Sequence, residues 1–139
     1  MTTPLYSCVK LTDSSKENLL QYAVKKDHLH DKAYAHHMTI QFKKGLDVSN
    51  LPLGETVQLQ VTGYAQDELV QCVRLDVLHE DIKVTNKHPH VTVSVSENGK
   101  PKLSNELLDK GFLQVQDGPV LEGIVGYYTT KNEFKTKEE

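Results

Sequence analysis

Two short runs, His37-Met38-Thr39-Ile40 and His90-Val91-Thr92-Val93, each place a histidine and a threonine two residues apart inside an apolar, alternating stretch. The alternation follows the two-residue period of a strand rather than the 3.6-residue period of a helix. Successive strand side chains point to opposite faces, so residues two apart share one. His37 and Thr39 therefore project together, as do His90 and Thr92, while Met38, Ile40, Val91 and Val93 point the other way. Two such strands side by side bring two imidazoles and two hydroxyls to one spot, where a phosphate can be handled without a metal.

With seven histidines in 139 residues, composition alone yields about half a His-x-Thr per chain, so one copy means little. Two copies, both in strand-like runs, weigh much more. The competing reading makes them ordinary strand residues whose polar ends face solvent.

The length fits one domain with a substantial core, expected to span residues 1–139, with its body at about 5–130 and a flexible tail at 131–139. No apolar run is long enough to cross a bilayer, so no membrane association is expected. Residues 1–4 lack the basic and apolar regions of a signal peptide, and the expected location is the cytoplasm, or else the nucleus. The two cysteines, Cys8 and Cys72, fall in strand-like segments and read as buried free thiols of a reducing compartment, with a disulfide as the alternative. A net charge of −3 argues against binding long duplex nucleic acid, which calls for a basic face. The basic clusters are small: Lys25-Lys26, Lys43-Lys44, and a tail where Lys131, Lys135 and Lys137 alternate with Glu133, Glu138 and Glu139. A nucleotide or an RNA terminus is the expected partner. Nothing marks an obligate dimer surface, so a monomer is expected.

The order of elements is that of a strand-rich α+β domain. Residues 6–11 read as a strand. Ser14 and Glu17 then have capping-box spacing ahead of a helix with Leu19, Leu20, Ala23 and Val24 on one face, ending near Lys25-Lys26. Residues 27–35 read as a polar loop, 36–42 as a strand and 47–54 as a turn-rich connection. Further strands are expected over 55–64, 69–78 and 90–95. A second helix over 103–110, with Leu103, Leu107 and Leu108 inward, stops at Gly111. Strands at 113–115 and 120–128 join around Asp117-Gly118-Pro119. The two His-x-Thr strands are 53 positions apart, one in each half, which hints at a degenerate duplication.

Histidine is the side chain whose ordinary pKa lets one copy take a proton near neutrality while another gives one up. Paired imidazoles therefore suit in-line cleavage of a phosphodiester. One deprotonates water, the other protonates the departing sugar oxygen, and Thr39 and Thr92 donate hydrogen bonds to the charged phosphate oxygens.

The paired motifs, in a chain of this size and element order, resemble the 2H phosphoesterase superfamily. The flanking segments Ala35-His36-His37-Met38-Thr39-Ile40, Val61-Thr62-Gly63-Tyr64-Ala65 and His88-Pro89-His90-Val91-Thr92-Val93-Ser94 are similar to compact phosphodiesterase domains of RNA-repair and tRNA-ligase proteins. Gly99-Lys100-Pro101 and Ser104-Asn105-Glu106-Leu107-Leu108 add to the likeness, which runs over about residues 6–128. The resemblance implies two pseudo-symmetric lobes of antiparallel sheet flanked by helices, with a central active-site cleft. It implies metal-independent hydrolysis of a 2′,3′-cyclic phosphate to a 2′-phosphate, with no cofactor. Carried over by motif, His37 and His90 are the acid–base pair and Thr39 and Thr92 hold the phosphate. Relatives act on other linkages too: 2′,5′-oligoadenylates, ADP-ribose cyclic phosphate and cyclic dinucleotides. No P-loop or ligase module is present, so a stand-alone phosphodiesterase piece is expected.

Other residues are weighed against these. His28, His30, His36 and His88 suggest a metal site, but Pro89 interrupts the run and no acidic or cysteine partner has supporting spacing, so none is expected. His79-Glu80-Asp81 reads as surface. Among the aromatics Tyr34, Phe42, Tyr64, Tyr127 and Tyr128, Tyr34 is preferred for stacking a base because it sits in the loop leading to the first motif. Lys87, Ser104 and Asn105 are further candidate contacts; their structural readings are a solvated lysine and a helix N-terminus satisfying backbone donors. A non-catalytic binder of nucleotides or RNA ends is the alternative from a different class, and a zinc hydrolase the third.

Overall fold

Alternation builds most of this protein. In the strand Thr56–Gln66, Val57, Leu59 and Val61 are buried while Thr56 and Gln58 are exposed. The computed structural model describes residues 3–85, 87–116 and 118–137. Residues 1 and 2 of the stretch read for a leader, Asp117 of the expected turn, and Glu138 and Glu139 of the tail lie outside the described residues. The elements run β1 (Pro4–Leu11), α1 (Asp13–Lys26), β2 (Lys32–Ala33), β3 (His37–Phe42), β4 (Thr56–Gln66), β5 (Val70–Val77), β6 (His90–Val95), α2 (Leu103–Lys110), β7 (Leu113–Gln114), β8 (Val120–Thr129) and β9 (Phe134–Lys135). Within the stretch expected to be a flexible tail, β9 pairs with β8.

The cap of α1 differs from the capping-box expectation. Thr12 has the extended backbone of a cap, and its Oγ1 accepts the Ser15 N–H at 3.2 Å, so Ser14 falls inside the helix. Leu19 and Ala23, four apart, are buried, but Val24 is 53% exposed rather than inward. In α2 the buried pair is Ser104 and Leu108, with Leu103 and Leu107 half-buried.

The strands form one antiparallel sheet in the order β7-β4-β5-β6-β3-β1-β8-β9. The first half of β4 also pairs with β8, from Thr56↔Ile124 to Gln60↔Val120, which closes six strands into a barrel. The α+β antiparallel class is as expected, but the sheet does not clearly form two lobes with a cleft between them. The reason is edge pairing: β8 bonds β4 over residues 120–124 and β1 over residues 123–129, so the ring has no open side. One continuous core fills it, including Met38, Ile40, Val91 and Val93 from the motif strands and Leu19 and Ala23 from α1.

The registers contain a repeat that the sequence only hinted at. In β1 and β3, Lys10 lies opposite His37 and Cys8 opposite Thr39. In β5 and β6, Arg74 lies opposite His90 and Cys72 opposite Thr92. Each register then slips by one residue, with Ser7 opposite Gln41 and Gln71 opposite Ser94, leaving Ile40 and Val93 as the extra residues. Cys8-Val9-Lys10-Leu11 and Cys72-Val73-Arg74-Leu75 are thus matching partners of the two motifs. Both cysteines are free and buried, and burial pushes each thiol up to about 12. β3 and β6 meet at Met38↔Val91.

Candidate active site

The bond between β3 and β6 sets the site. Met38 and Val91 face the barrel core, so the neighbours of each, two apart, face outward on adjacent strands. His37, Thr39, His90 and Thr92 line one cavity of about 410 Å³. Tyr6, Tyr34, His36, Phe42, Pro101, Lys102 and Asn105 complete its wall.

Each histidine has one nitrogen tied back. His90 Nδ1 donates to the carbonyl of His88 at 2.7 Å, because a carbonyl can only accept. His37 Nδ1 lies 2.8 Å from Nδ1 of His36. Nε2 of each motif ring is thereby left for a ligand. Tyr6 stacks on His37 with centroids 5.3 Å apart, and on Phe42 and Tyr128 at 5.4 and 5.2 Å. Thr92 Oγ1 is 2.8 Å from Ser104 Oγ and 3.3 Å from the Pro101 carbonyl, which fixes α2 against the second motif.

Both imidazoles are held neutral. Burial, then the neighbouring His36 and His90, lowers the His37 pKa to about 4. Burial likewise lowers His90, with the hydrogen bond to His88 acting the other way. An anion entering between them would favour protonation of one ring, an arrangement that could supply one acid and one base.

The same shifts bear on stability. A histidine at about 4 in the folded chain and near 6.5 unfolded leaves the unfolded state with more bound protons between those pH values. Stability is therefore full above pH 6.5 and falls as pH drops toward 4, by about 3 kcal/mol for His37. Urea melts across this window should show the decline, and His37→Asn should flatten it; an equally steep decline in the variant would exclude His37 as its source.

Of the other expected contacts, Tyr34 and Asn105 line the cavity, and Tyr34 is strapped to β6 by its N–H to the Val93 carbonyl at 2.7 Å. Ser104 and Lys87 are placed elsewhere. Ser104 is fully buried and supports Thr92, and Lys87 pairs with Asp109 at 2.6 Å. Phe42, 67% exposed, reaches the cavity because the extra residue Ile40 flips the parity of β3 after Thr39. Simple alternation places it with Met38 in the core. Lys102, at the start of α2, and Tyr6 were not anticipated; the signal for Tyr6 lay in the β1 segment ahead of Cys8-Val9-Lys10. His28 instead contacts Asp27 at 2.9 Å and meets the His30 ring edge-on. Among the described residues no group of three His, Cys, Asp or Glu is placed to hold a metal ion, and no helix is long and apolar enough to cross a membrane.

Comparison with known proteins adds the family. No curated protein matches the chain. A crystal structure of a fungal RNA kinase superposes with a TM-score of 0.59 at 13% identity, covering 87% of this chain and 41% of that one. The chain thus spans less than half the length of that protein, and a likeness at this identity concerns the fold. Residues 14–132 match the model of the fungal tRNA ligase phosphodiesterase domain. That match takes in both motif strands, α2, all but the first residue of α1, and five of the six barrel strands, so the chain belongs to the fungal tRNA ligase phosphodiesterase domain family and is a phosphodiesterase.

Proposed function

We propose that the protein hydrolyses 2′,3′-cyclic phosphates at RNA ends or on nucleotides to 2′-phosphates, without a metal, in the cytoplasm as a monomer. The observation that carries this reading is the cavity in which two histidines, each with Nδ1 engaged and Nε2 left over, sit with two threonines. One imidazole takes a proton from water as its oxygen attacks phosphorus. The P–O3′ bond breaks, and the other imidazole gives its proton to the departing 3′ oxygen. The products are a 2′-phosphate and a 3′-hydroxyl, and the two rings exchange protonation states. Thr39 and Thr92 donate to the non-bridging oxygens, the Thr92 hydroxyl turning to the phosphate from the Pro101 carbonyl to which it donates at 3.3 Å. Tyr34 and the exposed face of Phe42 offer stacking for a base, and Lys102 and Asn105 polar contacts beside it.

Turnover of a nucleoside 2′,3′-cyclic phosphate is expected to persist in excess chelator and to give the 2′-phosphate as product. Loss of turnover with chelator would point to zinc, a 3′-phosphate product would reverse the leaving group, and binding without turnover would make the protein a reader of RNA ends. A 2′,5′-oligoadenylate in the same assay tests the alternative linkage.

A further inference from the structure

His36 and His37 put two ring nitrogens 2.8 Å apart, and two N–H groups cannot face each other at that distance. One ring must donate and the other accept. The acid–base reading of His37 decides which. As a base, His37 needs a bare Nε2, so its single proton sits on Nδ1. As an acid it carries protons on both nitrogens. In both states the Nδ1–H points at His36, whose Nδ1 must be bare.

We propose that His36 is the positioning residue of His37: its unprotonated Nδ1 accepts from His37 Nδ1–H, as the His88 carbonyl does for His90. The inference rests on the acid–base role of His37. The geometry has a consequence absent at His90, because a carbonyl never donates whereas an imidazole can. A protonated His36 donates to His37, drives the His37 proton to Nε2 and removes the base. Around the pair stand Lys10 of β1, Lys16 of α1, His90 of β6 and the phenols of Tyr6 and Tyr128. Burial, then the cations Lys10 and Lys16, disfavours protonation of His36, which keeps the ring in the neutral state that a bare Nδ1 requires.

Two kinds of substitution separate the roles. In His36→Asn the amide oxygen lies near the position of Nδ1 and can accept, whereas His36→Leu and the ring-retaining His36→Phe cannot. The Leu and Phe variants are expected to lower kcat on a nucleoside 2′,3′-cyclic phosphate by about 10–100-fold with KM within about twofold, and Asn to recover most of the loss. Nitrogen-15 NMR should find His37 protonated on Nδ1 in the wild type and in His36→Asn, and a mixture of tautomers in His36→Leu. A raised KM with unchanged kcat would make His36 a substrate contact and overturn the proposal. So would a His37 that keeps its Nδ1 proton in every variant. If the wild type turns over no cyclic phosphate, the activity reading fails, while the NMR comparison still decides the pairing.

Discussion

Alanine at His37 or at His90 is expected to lower turnover of a 2′,3′-cyclic phosphate by about 10³-fold, with the double variant scarcely slower than either single one. The first part follows from the proposed division of labour. Hydrolysis needs a proton removed from water and another delivered to the 3′ oxygen, and each imidazole does one job at a time. A loss of this size corresponds to about 4 kcal/mol of transition-state stabilisation. The second part follows because the two transfers belong to one displacement, so removing the second partner of a broken relay costs little more. Thr39→Val and Thr92→Val are expected to cost less, about 10²-fold each, because a single hydrogen bond to a charged oxygen is lost. The pH–rate profile of the wild type is expected to be bell-shaped, with each single alanine variant losing one limb. Steady-state kinetics on folded variants checks this. Full activity in either alanine variant would remove that histidine from the chemistry, and a threonine more costly than both histidines would make phosphate binding the main source of rate.

Much of this site was legible in the sequence because it depends on period alone. A His-x-Thr in an alternating run needs only a strand to put both side chains on one face, and His37, Thr39, His90 and Thr92 do share a cavity. The helices were legible for the same reason, from the four-residue spacing of Leu19 and Ala23 and from Gly111 after α2. What was not legible depends on pairing between distant strands. Nothing in residues 56–60 says that they bond to residues 120–124, so a closed barrel and two lobes read alike. The extra residues Ile40 and Val93 are apolar and fit the alternation; only the register with β1 and β5 shows that parity changes after them. Period alone would put Phe42 beside Met38, and only that register puts it on the cavity side. Ser104 illustrates the converse limit, since a serine at a helix start reads as a cap or a contact, whereas here it supports Thr92 from a buried position.

Barrel closure has a point where one added carbon should be felt. Gly123→Ala is expected to destabilise the protein by about 3 kcal/mol, at the upper end for overpacking by a single methyl. Gly123 pairs with Leu11 of β1 on one side and with Val57 of β4 on the other, in the short stretch where β8 is bonded to both of these strands. A Cβ there would lie 2.5 Å from Val9 Cγ1 and 2.8 Å from the Lys10 carbonyl oxygen. The valine methyl can turn aside at some cost in the core. The carbonyl cannot move without opening the β1–β8 ladder, and β8 cannot retreat because β4 holds its other edge. That double constraint explains a glycine inside a strand, where its missing side chain otherwise weakens packing. Gly45 is the contrast: its φ is +77° and nothing lies within 4 Å of the added carbon, so Gly45→Asn, which tolerates that backbone, should be nearly neutral. Thermal melts distinguish the two, with Gly123→Ala lowering Tm by about 10 °C and Gly45→Asn leaving it almost unchanged. Equal melting temperatures for the two variants would mean that β8 is free to shift on one side, and the six-stranded ring would then be open between β4 and β8.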